Sequence, residues 1–413
     1  MRLSYENKLL AILSLSFGFV FFDRLALSFL FPFVSAELHL DNAHLGMLSS
    51  CLALTWAISG AVLGAYSDRL PSKKPMLVLA VLGFSLCSAL SGAVTGFVSL
   101  LLFRALMGIA EGPVLPLSQS MIAASSTPAR RGLNMGIVNG AAPGFLGAVL
   151  GPPVIIWLGT HYGWRHAFYL SCVPGLIIAC LIWKYVEAQP ATAPPRTRAG
   201  GTQRVGIRDL LKDRNIFLCM LIACFYLTWF VIIISFTPTF LMQVKKYRPE
   251  TMGYVMSCLG FAWVLWGFLV PAISDRIGRK PAMFGFSLVA ACCPLCLLYV
   301  ESAATMMPVV FLTYTGLGCF TLFMAIIPSE SIAAGSIATA LGLIMSVGEL
   351  VGGFLSPTIA GLAADRFGLS IVMWIAAVGA FVPAILALFL KETAPLVVQA
   401  GTRGAAPGVP VEG

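Results

Sequence analysis

Gly64-Ala65-Tyr66-Ser67-Asp68-Arg69-Leu70-Pro71-Ser72-Lys73-Lys74 and Pro271-Ala272-Ile273-Ser274-Asp275-Arg276-Ile277-Gly278-Arg279-Lys280 are two forms of one segment, set 207 residues apart. Each is a short charged turn following an apolar run long enough to cross a bilayer, which takes about 20 helical residues. A second pair agrees in order and spacing. Gly151-Pro152-Pro153 is followed by Tyr162-Gly163, and Ser356-Pro357-Thr358 by Phe367-Gly368, 205 residues on. A repeat of that length divides the 413-residue chain into two similar halves.

Apolar runs on either side of these turns cover residues 9–34, 43–67, 75–95, 98–126, 133–159 and 167–187, then 215–243, 252–274, 281–301, 306–328, 338–364 and 370–391. Six spans per half is an even number, so both copies share one orientation. That predicts an all-α membrane protein of twelve transmembrane helices, its halves related by a pseudo-two-fold axis along the membrane normal. The expected organisation is an N-terminal half at 1–187, a cytoplasmic linker at 188–214, a C-terminal half at 215–392 and a disordered cytoplasmic tail at 393–413. The linker is assigned on its Pro, Gly and basic residues.

Composition leaves little else open. The chain is 59% hydrophobic and 10% charged, with mean hydropathy +0.91, whereas a soluble domain carries about 25% charged residues. A soluble enzyme is excluded. All eleven cysteines fall in apolar runs, where cysteine acts as a small hydrophobe. Cys293-x-x-Cys296 has no second pair to complete a zinc site, so neither metal nor cofactor is expected. Nineteen Lys and Arg lie in loops sharing a side with the N-terminus, against five on the other side: Arg165, Lys245, Lys246, Arg248 and Arg366. This asymmetry places both termini in the cytoplasm of a bacterial inner-membrane protein. The net charge of +9 is then a topology signal and implies no nucleic acid.

Five ionisable residues stand inside apolar spans: Asp23, Arg24, Arg104, Glu111 and Glu349. Each costs about 2.5–3.5 kcal/mol at the bilayer centre even on the lenient scale. They must therefore face the bundle interior and one another. Arg104 and Glu111, seven residues apart, share a helix face about 10 Å apart. Asp23 is expected opposite Arg104, and Arg24 opposite Glu111. Protonating one carboxylate would free an Arg to hold a substrate carboxylate bidentately. Asp23, Glu111 and Glu349 are thus candidate proton-coupling residues, with a hydrogen-bonded structural acid as the alternative for Glu349. Arg24 and Arg104 are candidate substrate-binding residues, with Phe21 and Trp56 as aromatic wall and Asn139 as a pore amide.

The two charged turns resemble the signature of the major facilitator superfamily, G-x-x-x-D-R/K-x-G-R-R/K, at both expected places. Pro71, Ser72 and Pro271 depart from it, which implies altered loop geometry. The resemblance implies transport by alternating access, with Asp68, Arg69, Asp275 and Arg276 as a cytoplasmic gating latch. A plain topological anchor with a tight turn is the compatible alternative. Phe22-Asp23-Arg24-Leu25-Ala26-Leu27-Ser28 further resembles the first-helix D-R-x-x-[LI]-S stretch of the anion:cation symporter family. Arg104-Ala105-Leu106-Met107-Gly108-Ile109-Ala110-Glu111-Gly112 resembles its fourth-helix R-x-x-x-G-x-x-E-G. Carried over residue by residue, this implies proton sites at Asp23 and Glu111 and anion recognition by Arg24 and Arg104. Phe21 stands where sugar-acid relatives have tyrosine. With Trp56, Phe29 and Phe33 it suggests an amphipathic monocarboxylate rather than a sugar acid. The expectation is a monomeric proton symporter importing a small organic anion. Gly147-x-x-x-Gly151-Pro152 resembles a motif of drug/proton antiporters, the alternative function, although the same spacing also lets helices approach closely.

Overall fold

The computed structural model describes residues 4–67, 69–127, 130–187, 210–332, 336–395 and 397. The N-terminal half holds α1 (Tyr5–Leu38), α2 (Asn42–Ser67), α3 (Lys74–Ser91), α4 (Phe97–Ser125), α5 (Arg131–Tyr162) and α6 (Trp164–Tyr185). The C-terminal half holds α7 (Arg214–Gln243), α8 (Pro249–Ile277), α9 (Arg279–Tyr299), α10 (Ala303–Ser331), α11 (Thr339–Phe367) and α12 (Ile371–Ala387). Eleven of these are long and apolar enough to cross a membrane, and α12 is a shorter apolar helix of 17 residues. Each end lies within four residues of the boundary read from hydropathy. Most of the linker (188–209) and of the tail lies outside the described residues.

Helix ends follow local chemistry. The hydroxyl of Ser4 accepts the Asn7 N–H at 3.4 Å to start α1, and Asp213 accepts the Ile216 N–H at 3.0 Å to start α7. Glycines with positive φ join consecutive helices, singly at Gly163 (82°) and Gly278 (104°) and as the first of three connecting residues at Gly368 (88°). The charged repeat shows what its departures do. Gly278 alone separates α8 from α9, a conformation closed to proline, whose φ is held near −65°. Pro71 occupies the matching place in the first copy, where a longer connection that includes 69–73 joins α2 to α3.

Small residues set the helix spacing inside each half. A Cβ on Gly112 would sit 2.6 Å from the Gly60 nitrogen, clamping α4 to α2. A Cβ on Gly147 would sit 2.7 Å from that of Phe21, so Gly147-x-x-x-Gly151 is where α5 packs on α1. Side chains such as Leu79, Val98 and Trp183 leave the outer surface apolar, as lipid contact requires.

The halves meet through α2 with α11 and α5 with α8, at the ends of these helices remote from the chain termini. Asp365 on α11 accepts the backbone N–H groups of Asn42 (3.0 Å) and Ala43 (2.8 Å) and the Asn42 side-chain amide (2.9 Å). It caps the N-terminus of α2 from the other half. Thr358 donates to the Ser50 hydroxyl at 2.8 Å, Ser50 donates to the Phe354 carbonyl, and Ser257 donates to the Val149 carbonyl at 2.9 Å. Glycines make this seam tight: Gly46 lies against the Pro357 carbonyl and Gly260 against Ala148. On the termini side the same helices part, and an added Cβ would meet nothing within 4 Å at Gly136, Gly140, Gly267 or Gly342. The protein is therefore closed on the far side and open on the side of its termini.

Loss of a capping carboxylate costs about 0.5–2 kcal/mol. Asp365→Ala should thus shift the population toward the far-side-open form by roughly 2- to 30-fold. Electron–electron distance measurements between labels at His39 and Phe367, in a cysteine-free background, would read this as a longer-distance population. An unchanged distribution would contradict the latch.

Candidate functional site

A cavity of about 660 Å³ lies between the halves and runs toward the termini side. Arg24 on α1 reaches it, half-buried. Its guanidinium carbon stands 5.2 Å from the Trp56 ring centroid and 5.8 Å from that of Phe21. The two rings hold the cation by their faces. No described residue gives its guanidinium a hydrogen bond or an ion pair.

Arg104 on α4 is 2% exposed and forms the inner edge of the cavity. Its Nη1 donates to the Arg24 carbonyl at 3.5 Å and touches the Met107 sulfur at 3.7 Å, while Nε and Nη2 have no partner among the described residues. Asp23 and Glu111, 1% and 0% exposed, sit behind it and do not line the cavity. Asp23 accepts a hydrogen bond from Ser88 at 3.1 Å, and the Ser171 hydroxyl stands 2.7 Å from that of Ser88. Neither oxygen of Glu111 has a hydrogen-bond partner among the described residues.

The expected pairing of opposite charges is thereby revised. Asp23 and Arg104, and likewise Arg24 and Glu111, lie within electrostatic reach, yet no direct ion pair joins any of the four. Asp23 meets the Ser88–Ser171 pair of α3 and α6 instead, Ser88 donating, while Arg104 turns Nη1 to the α1 backbone. The sequence reading missed those serines, since Ser in a span usually bonds its own helix backbone.

Glu349 opens a π-helical segment of α11 (Glu349–Leu355), lines the cavity, and lies within electrostatic reach of Arg24 across the two halves. Gly353 leaves the space that its carboxylate occupies. The other half carries a matching π-helical segment in α5 (Pro143–Leu150), just beyond a first one (Ile137–Ala141) that carries Asn139. Such bulges are frequent at functional sites. Phe21, Trp56 and Asn139 line the cavity as expected. Phe29 and Phe33 do not: both pack into the interior beside α1, where lipid-distal Phe fills core volume. Sequence reasoning missed Phe230, Trp263 and Phe320, which face the cavity from the C-terminal half.

Of the gating candidates, Asp68 lies outside the described residues, and Arg69 and Arg276 are exposed on the termini side. Asp275 pairs with Arg279 at 2.7 Å, Arg279 pairs with Glu330 at 2.9 Å, and Glu392 accepts the N–H groups of Arg279 (2.7 Å) and Lys280 (3.1 Å). This knot belongs to the C-terminal half. Glu392 was not foreseen, because a lone acid near a chain end carries no sequence pattern.

A two-half bundle of apolar helices around a central, one-sided cavity defines a membrane transporter. The chain belongs to the Major Facilitator Superfamily, whose sequence model matches residues 13–357. It is 28% identical to the hexuronate transporter of Bacillus subtilis (strain 168) over 308 residues, 70% of each chain. It is 27% identical to a probable 4-methylmuconolactone transporter of Cupriavidus pinatubonensis over 344 residues, 80% of this chain and 78% of that one. A bacterial homologue of the human lysosomal transporter Spinster, in an inward-facing and occupied conformation, shares the fold over the whole of both chains (TM-score 0.78, 18% identity). The protein is a multi-pass secondary transporter and not an enzyme.

Proposed function

We propose that this protein imports a small organic monocarboxylate together with a proton by alternating access. The observation that carries this reading is Arg24: a permanent cation at mid-span, open to the cavity and without an ion pair to any described residue. A guanidinium there is a fork for a carboxylate. The names of the relatives, carriers of hexuronate and of a muconolactone, fit a small organic acid.

Coupling follows from charge balance. Two guanidinium groups and three carboxyl groups share the site, and an arriving carboxylate adds one negative charge to a region where net charge is costly. One proton taken up by Glu349, Glu111 or Asp23 cancels it. Glu349 faces Arg24 across the cavity, so its protonation removes the nearby negative charge that would repel a carboxylate arriving at Arg24. Asp23 and Glu111, behind Arg104, are the inner proton sites. With the termini in the cytoplasm of a bacterial inner membrane, as the Lys/Arg bias argues, the form described here faces inward. The knot around Asp275 then stays within one half, and Asp68, Arg69, Asp275 and Arg276 act across the halves only when that side closes. The protein works as a monomer, since both walls of the cavity come from one chain.

The test is uptake into proteoliposomes under an imposed pH gradient, acid outside, with benzoate, glucuronate and tetraphenylphosphonium as probes. Accumulation of a carboxylate that collapses when the gradient is dissipated supports symport. Failure of both carboxylates to accumulate, or proton-driven movement of the cation alone, as a drug antiporter would give, overturns it.

A further inference from the structure

The two walls of the cavity differ. The N-terminal half supplies the cation, Arg24, between Phe21 and Trp56. The C-terminal half supplies mainly rings. Phe230 on α7 meets Trp263 on α8 at 5.3 Å between centroids with planes at 90°, and Phe320 on α10 meets Phe230 at 6.4 Å. Trp263 also meets Phe21 edge-on at 5.7 Å, so the aromatic surface continues across the seam between the halves. Hydrogen-bonding side chains on the C-terminal wall are few, namely Ser235, Thr321, Glu349 and the indole N–H of Trp263, whereas the N-terminal wall also carries Ser28, Ser49, Gln119 and Asn139. Ser235 already takes part in a contact with Ser49 at 3.5 Å.

A polyhydroxylated acid with its carboxylate on Arg24 would find hydrogen-bonding side chains mainly on the N-terminal wall, and each hydroxyl turned to the C-terminal rings would lose its hydrogen bonds to water at about 1–3 kcal/mol for each group left unsatisfied. A flat apolar ring would instead find offset and edge-on partners. We propose that the substrate is a carboxylate borne on a planar unsaturated ring. Its carboxylate sits on Arg24, its ring lies against Phe230, Trp263 and Phe320, and Trp263 determines specificity. This rests on the carboxylate reading of Arg24 and narrows it. Trp263 belongs to one half and Arg24 to the other, so such a ligand touches both halves at once, which is what alternating access needs of its substrate.

The experiment measures thermal stabilisation and intrinsic tryptophan fluorescence of the purified full-length protein with benzoate, cyclohexanecarboxylate and glucuronate, followed by gradient-driven uptake of each. Benzoate should bind at least about tenfold more tightly than cyclohexanecarboxylate, with glucuronate weaker still. Trp263→Leu should weaken benzoate binding about tenfold, while Trp263→Phe, which keeps a ring and guards against misfolding of the leucine variant, should keep most of it. Glucuronate bound and accumulated in preference to benzoate overturns the ring assignment and leaves carboxylate symport standing. Equal affinity for benzoate in Trp263→Leu and wild type overturns the role of Trp263. If no carboxylate binds or accumulates, the underlying reading of Arg24 falls, and this inference with it.

Discussion

Arg24→Ala is expected to abolish carboxylate uptake, by roughly 100-fold or more, while leaving the protein folded and inserted. Two charge-assisted hydrogen bonds from a guanidinium fork are worth about 1.5–3 kcal/mol each, and about 1.4 kcal/mol corresponds to a factor of ten. Arg24 makes no hydrogen bond or ion pair with a described residue, so alanine removes no structural contact beyond its stacking on Trp56 and Phe21. Arg24→Lys should recover only part of the activity, because a point charge cannot reproduce the bidentate geometry. Initial rates in proteoliposomes, alongside size-exclusion profiles of the purified variants, check this. Wild-type uptake in Arg24→Ala would remove the cation from the mechanism.

Glu111→Gln is expected to separate transport from its driving force. The substitution preserves shape and removes one titratable charge. Both Glu111 oxygens lack a partner among the described residues, so no hydrogen bond to these is broken in the making. Accumulation against a gradient should fall more than about tenfold, the scale of a lost electrostatic term of 1–3 kcal/mol between coupled sites. Exchange of labelled for unlabelled substrate needs no net proton movement, and should stay within about threefold of wild type. Asp23→Asn should behave alike, with a further loss of stability because Ser88 loses an ionic acceptor. If pH-driven accumulation persists in both variants, the inner carboxylates are not proton sites.

Much of this molecule is written locally in its chain. Hydropathy places helices because a lipid solvent demands long apolar runs, and the twelve helices follow that rule to within a turn. The intramembrane charges were legible for the same reason, since each is an exception to it. Side-chain partners were not. Whether Asp23 meets Arg104 or two serines depends on helix rotation, which hydropathy does not encode when a helix is apolar on every face. The C-terminal aromatic wall was hidden likewise: Trp183 is 66% exposed and Trp263 8%, yet both read as one more aromatic in a span. Asp365 lies in Asp365-Arg366-Phe367-Gly368, which echoes the charged turns on the opposite side. That echo was the available signal for the far-side latch.

The central claim is that a carboxylate arriving at Arg24 is balanced by a proton. Calorimetric titration of the purified protein with benzoate or glucuronate, whichever stabilises it, in buffers of different ionisation enthalpy counts protons directly, because linkage makes the observed heat scale with proton uptake. About one proton taken up per carboxylate bound is the predicted result. Binding with no proton uptake, or with proton release, would contradict it.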